Sequence, residues 1–211
     1  MLRRWRNVVG RPSHRRVSFL PEPSATGRSL MRVSFIHEHG LSAAEVLTDE
    51  YVDAYLEIHA EPPYNSNPNS SRERYLARTR RQVESPGFQL VACRDDGGAL
   101  IGWTFGLPFA AGGWWGGVTS PAPEEVLRGE KFAVIELNVI RSRRGQGYGR
   151  RLLTSLLDSR PEPWATLLSL PAAPAHAMYE HLGWRVVGTN QPAPDAEIAD
   201  VLVLRLENHS A

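Results

Sequence analysis

Residues 143–153 read RRGQGYGRRLL, with three glycines within five positions, four arginines around them and a leucine run behind. Upstream lies KFAVIELNVI (131–140), a nearly continuous apolar run of the kind that forms a strand covered on both faces. Downstream, Leu152, Leu153, Leu156 and Leu157 share one face of a helix that ends near Pro161. The order is therefore strand, glycine-rich turn, helix. Such a turn aims several backbone N–H groups and the positive end of a helix dipole at one point, which makes it a phosphate site. Gly145, Gly147 and Gly149 allow dihedrals that other residues resist and bring the backbone within reach of oxygen atoms.

Two common phosphate grips do not match. The spacing is G-x-G-x-G and not the G-x-G-x-x-G of dinucleotide folds, and no Lys-Ser or Lys-Thr pair follows as in a nucleotide P-loop. A dinucleotide fold also wants an acid about 20 residues on. Here residues 165–171 read ATLLSLP.

Working outward, MRVSFIHEHG (31–40) predicts a first strand. Thr48 is placed to cap a helix carrying Tyr51, Tyr55 and Ile58 on one face until Pro62, and SSRERYLARTRRQVESPG (70–87) predicts a second, charged helix. FQLVACRDDGGALIGWTFGLP (88–108) reads as a hairpin around an Asp-Gly-Gly turn. A long irregular loop with Trp114 and Trp115 leads to the central strand. Beyond the glycine loop come a buried strand WATLLSL (164–170) and a short helix with Pro174 near its start and Gly183 just past its end. RVVG (185–188) and IADVLVLRL (198–206) complete the sheet. This is a single mixed α/β layer structure.

Residues 1–30 hold seven arginines and one acid, Glu22, with no sustained periodicity, and are expected to form a poorly ordered basic extension ahead of a domain over 31–211. NVVG is too short for the apolar core of a secretory signal; the composition has some likeness to an organellar transit peptide, but the preferred reading is that Met31 opens the domain and the preceding segment is an extension or a misplaced start. Without that segment the 24 basic and 23 acidic residues become 17 and 22, a net charge of −5. An acidic body argues against a nucleic-acid partner and favours a cationic small molecule or peptide end. No apolar run approaches the roughly 18 residues of a membrane span. The expected location is cytoplasmic, as monomer or homodimer. The one cysteine, Cys93, lies in an apolar strand and reads as an inert buried thiol. No metal is expected: His37-x-His39 is a lone pair, and His176 and His181 stand roughly 140° apart around a helix.

Arg144-Gly-Gln-Gly147-Tyr-Gly149 resembles the Arg/Gln-x-x-Gly-x-Gly/Ala motif of the GCN5-related N-acetyltransferase (GNAT) family. The preceding IELNV, the helix RRLLTSLL and AHAMYEHLGW (175–184) resemble the family's neighbouring segments, Trp184 standing where Phe is usual. The resemblance covers roughly residues 31–207. It implies a mostly antiparallel twisted sheet of six to seven strands, split at a central parallel pair and flanked by about four helices. It implies acetyl-CoA as cosubstrate, with Arg144, Gly145, Gln146, Gly147, Tyr148, Gly149 and Arg150 on the pyrophosphate and the backbone of Leu137, Asn138 and Val139 along the pantetheine arm. It also implies that Tyr179 meets the coenzyme sulfur and that a backbone N–H near Asn138 or Val139 holds the oxyanion. Ala172 stands where the family often has an asparagine, and Arg141 and Arg143 replace a frequent proline and aromatic.

Acetyl transfer to an amine needs a neutral amine, a stabilised oxyanion and a proton for the thiolate. An alkyl amine with a pKa near 10 is only about one part in a thousand neutral at pH 7, so a base helps. Glu136 is the candidate, because a carboxylate within AVIELNV must be paired, neutralised or functional. Glu61, Tyr64 and Trp103, with Trp114 and Trp115, lie where the family places acceptor-contacting segments, and a carboxylate with aromatics suits a cationic amine. The expected function is transfer of the acetyl group from acetyl-CoA to a primary amine. A small cationic acceptor stands first; a protein or peptide amino group and a non-catalytic acyl-CoA-binding module are the alternatives.

Overall fold

The computed structural model describes residues 16–18, 32–65, 67–158 and 160–207. Among them one nine-stranded sheet runs through the molecule in the order β1-β2-β3-β4-β6-β7-β9-β8-β5. The strands are β1 (Arg16–Ser18), β2 (Val33–His39), β3 (Gln89–Asp95), β4 (Leu100–Phe109), β5 (Val118–Thr119), β6 (Lys131–Val139), β7 (Trp164–Ser169), β8 (Arg185–Gln191) and β9 (Ala199–Arg205). The five α-helices are α1 (Asp49–His59), α2 (Arg72–Val83), α3 (Glu124–Arg128), α4 (Tyr148–Leu157) and α5 (Pro174–His181). Seven strands have six residues or more, matching the expected six to seven; β1 and β5 are short edge pieces that no local pattern announces. Of the expected disordered segment 1–30, Arg16–Ser18 pairs antiparallel with β2, and the rest lies outside the described residues.

The sheet separates two cores. On one face α4 and α5 cover Phe35, Val91, Phe132, Val134, Leu137 and Val139. On the other, α1, α2 and the short helical turn Gly40–Leu47 cover Leu90, Ala92, Trp103, Phe105 and Ile140. The leucine stripe of α4 is buried as its spacing requires. Ser71 caps α2 by accepting from the Arg74 N–H, whereas the Thr48 hydroxyl turns back and donates to the Glu45 carbonyl. The tryptophans of the long loop anchor it: Trp114 Nε1 donates to the Ser120 carbonyl and Trp115 Nε1 to Thr166 Oγ1 on β7.

Two irregularities in β6 position everything that follows. Phe105 faces Glu136 and Gly106 faces Val134, so Ile135 is an extra residue, a bulge that reverses the alternation of side chains. Phe132 and Val134 point to the α4–α5 face; beyond the bulge Leu137 and Val139 take that face, and Glu136 turns to α1 and α2. Without the bulge Glu136 would point into the opposite core. The second irregularity is a split. β6 and β7 are the one parallel pair among the described strands, and pairing covers only Lys131–Val134 against Trp164–Leu167. From Ile135 onward that edge of β6 has no partner among the described strands.

Candidate active site

The glycine loop follows β6 through a helical turn at Arg141–Arg143. Gly145 (φ 73°) and Gly147 (φ 78°) adopt left-handed conformations, and a Cβ added to either would meet nothing within 4 Å. Handedness, not space, selects glycine there. Gly147 opens α4 with no side-chain cap, and no acidic residue lies in the helix's first turn. The leading amides and the dipole of α4 are thus offered to an anion. Gly149 differs: an added Cβ would sit at ordinary contact distance, 3.8 Å, from Met178 Sδ and Val139 Cγ2, so a small side chain would be accommodated there.

Each loop side chain has a definite place. Arg144 Nε donates to the Val139 carbonyl at 3.2 Å, and its Nη1 donates to Glu61 Oε2 at 2.8 Å. Arg141 reaches Glu61 Oε1 at 3.1 Å, so one carboxylate bridges two loop arginines. Arg143 pairs with Asp95 in the hairpin turn, and Gln146 Nε2 donates to the Ser142 carbonyl. Arg150 is exposed. The Tyr148 ring is buried in the α4–α5 core beneath the Arg151 guanidinium, leaving its amide as its contribution to the loop.

The main-chain groups of β6 alternate between its two edges. The Ile140 N–H donates to the Ile101 carbonyl and Thr104 Oγ1 donates to the Glu136 carbonyl. By the antiparallel alternation, the polar groups of Glu136, Asn138 and Ile140 turn to β4, and those of Leu137 and Val139 turn to the split. The Val139 carbonyl accepting from Arg144 agrees. Asn138, expected among the cofactor contacts and as an oxyanion donor, therefore has its main-chain groups directed to β4, and its side-chain amide donates to Glu136 Oε2.

On the α1–α2 face of the sheet, Glu136 is held by a side chain of α2. Its Oε1 accepts from Arg78 Nη2 at 2.9 Å. Arg78 also donates to the Tyr55 hydroxyl and the Asn69 carbonyl, and its guanidinium lies over the rings of Tyr55 and Tyr75. The carboxylate foreseen as paired or functional is paired. Its charge reaches the phenols of Tyr55, Tyr64, Tyr75 and Tyr179. Burial first, and then that charge, pushes Tyr55 up to about 12. Burial followed by the charges of Tyr64 and Glu136 drives Tyr179 far above the ordinary phenol range. Tyr179 is thus a protonated donor at neutral pH, and its ring packs edge-on against Trp184.

The charge of Glu136 reaches both Tyr64 and Tyr179. Glu61 instead ties down the cofactor loop. Trp103 is fully buried, edge-on to Tyr51 in the α1–α2 core, so it does not line an acceptor pocket. Three residues of this cluster had no sequence signal. Tyr55 is one of three residues on a helix face, Arg78 one charge in a charged helix, and His59 carries no motif; only the packing of α1 and α2 on β6 brings them to the Glu136 charge. Among the described residues no group of three metal-ligating side chains converges, and no helix is long and apolar enough to cross a membrane.

This architecture matches solved acetyltransferases. The model of the acetyltransferase (GNAT) family fits residues 47–184, well over half of the sequence. The chain belongs to the GNAT family. Its fold is shared with PaiA N-acetyltransferase from Thermoplasma acidophilum, solved in complex with coenzyme A (TM-score 0.55, 12% identity, 82% of this chain and 99% of that one). It is also shared with the ribosomal-protein-S18-alanine N-acetyltransferase from Escherichia coli (0.50, 14%, 84% and 98%). Arabidopsis thaliana NAA60, solved in complex with a bisubstrate analogue, is a third (0.52, 15%, 81% and 97%). No curated protein matches the sequence. As a GNAT domain the chain is an acetyl-CoA-dependent acetyltransferase.

Proposed function

We propose that the protein transfers the acetyl group of acetyl-CoA directly to a primary amine at the split edge of β6, and that the acceptor is a small cationic amine. The observation that carries this reading is the uncapped, glycine-opened start of α4 beside the β6 edge at Leu137 and Val139, with Glu136 near enough for its charge to reach Tyr64 and Tyr179. The residues fit the cosubstrate: uncapped α4 amides, two left-handed glycines and an acid-free first turn suit a pyrophosphate. Residues 144–150 would hold it, and the main chain of Leu137 and Val139 would pair with the pantetheine arm. Acetyl-CoA supplies the activated acyl carbon.

Around it, this chain's residues have three tasks. An N–H facing the split, from Leu137 or Val139, stabilises the oxyanion, because a preorganised donor is worth most where charge develops. Tyr179, still protonated, gives its proton to the departing sulfur. Glu136 supplies negative potential, and the ring of Tyr64 supplies a π face that favours a cation. The new N–C bond forms as the C–S bond breaks. The ammonium loses two protons, one of which ends on the thiol and one in solvent.

The test has two parts. Isothermal titration with acetyl-CoA, CoA and ATP should show binding of the two thioester-related ligands and none of ATP. Thiol release across a panel of amines should then be stimulated by polyamines, aminoglycosides or amino acid derivatives and cut about 100-fold by Tyr179→Phe. Release with peptides alone would move the acceptor to a protein amino group.

A further inference from the structure

Glu136 is engaged by Arg78 and Asn138, so a proton placed on it would strip Arg78 of its counter-charge. Another group in the cluster has the geometry of a proton acceptor. His59, at the C-terminal end of α1, makes a 2.9 Å hydrogen bond between Nδ1 and the Tyr55 carbonyl. A carbonyl oxygen only accepts, so Nδ1 carries the hydrogen, and in the neutral ring Nε2 carries the lone pair. The ring is clamped: it stacks on Tyr55 with centroids 3.8 Å apart and leans on Tyr64 at 4.9 Å. Tyr64 in turn feels the charge of Glu136 and is coupled electrostatically to Tyr179. The tautomer and the plane of the imidazole are therefore fixed, within reach of the Glu136 charge.

We infer that His59 Nε2 is the group that accepts the proton from the incoming ammonium, with Glu136 and Arg78 as the charge pair that positions it. This rests on the acetyl-transfer reading given above. The groups facing the ring are Tyr55 from α1, Arg78 from α2, Glu136 from β6, Arg144 from the glycine loop and Tyr64. Desolvation outweighs the pull of Glu136 and holds the imidazole below its usual range, so it is neutral at pH 7. The balance is complete. Nε2 takes one proton from the ammonium, the free amine attacks as the C–S bond breaks, the second N–H proton reaches the sulfur by way of Tyr179, and His59 returns its proton to water.

The variant to use is His59→Asn, whose side-chain amide can still donate to the Tyr55 carbonyl. In thiol-release kinetics with the best amine, kcat/KM should fall about 100-fold, and the acid limb of the wild-type pH profile should disappear. CoA affinity by calorimetry should stay within about threefold, which establishes that the variant is folded. In His59→Gly, added imidazole should restore part of the rate. Nitrogen NMR of the free wild-type protein should show His59 as the Nδ1–H tautomer at pH 7, titrating below 6.5. Retention of both rate and acid limb in His59→Asn, or an Nε2–H or protonated ring at pH 7, overturns the assignment. A wild-type protein that releases thiol with no amine defeats the acetyl-transfer reading itself, a separate result.

Discussion

Arg78→Met isolates the interaction that organises the site. Arg78 is the hub through which α2 holds α1 and β6: it reaches Glu136, the Tyr55 hydroxyl and the Asn69 carbonyl. The side chains are 26% (Arg78) and 12% (Glu136) exposed, a pair largely removed from water. Removing one member of a buried pair costs about 3–5 kcal/mol because the other charge is left uncompensated. Partial access of water to Arg78 places the expected loss at the lower end, about 3 kcal/mol. For a domain of this size each kcal/mol shifts Tm by roughly 2–4 °C, so Tm should fall by about 6–12 °C. Urea unfolding followed by circular dichroism at pH 7 measures the same loss. The double variant Arg78→Met with Glu136→Met should recover most of it, since an apolar pair avoids the stranded charge. A loss below about 0.5 kcal/mol in the single variant, or a double variant no more stable than the single one, would refute the claim that Glu136 is chiefly the partner of Arg78.

Two further outcomes follow from the same geometry. Glu61 holds Arg141 and Arg144 at 3.1 and 2.8 Å, so it competes with any anion for the loop; Glu61→Gln should tighten CoA binding about two- to fivefold, the worth of a partly exposed pair, by calorimetry. Weaker binding would mean that Glu61 preorganises the arginines instead. The lowered pKa of His59 means that below about 6.5 the unfolded chain takes up a proton that the folded chain resists. That contribution to stability is complete above the ordinary imidazole value and is lost as pH falls through it. His59→Asn should therefore flatten the decline of stability as pH falls below about 6.5, read from denaturant midpoints at each pH.

Much of this molecule is legible in its sequence because the signals are local. The glycine loop is set by backbone handedness at Gly145 and Gly147, and α4 by the spacing of its leucines. The order of the main strands and helices follows from periodicity and from turn residues such as Gly183, whose φ is 89°. What sequence could not reveal depends on register and on long-range contacts. The bulge at Ile135 adds no distinctive residue, yet it decides which face Glu136 occupies. Trp103, an aromatic in an acceptor-like position, is claimed by the core, and Glu61 is claimed by the loop arginines. His59 and Arg78 are ordinary helix residues until α1 and α2 are laid on β6. The edge pieces β1 and β5 are too short to show a period, and pairing with β2 and β8 creates them.

The central claim is direct attack of the amine on the thioester, with no acetyl group resting on the protein. The one cysteine, Cys93, is fully buried, and its thiol is pushed up to about 11 by burial, so it offers no thiolate for such an intermediate. Initial rates measured while acetyl-CoA and the amine are varied together decide the matter. The account predicts reciprocal plots that intersect, the mark of a ternary complex. Parallel lines would contradict it, because they require an acetylated protein.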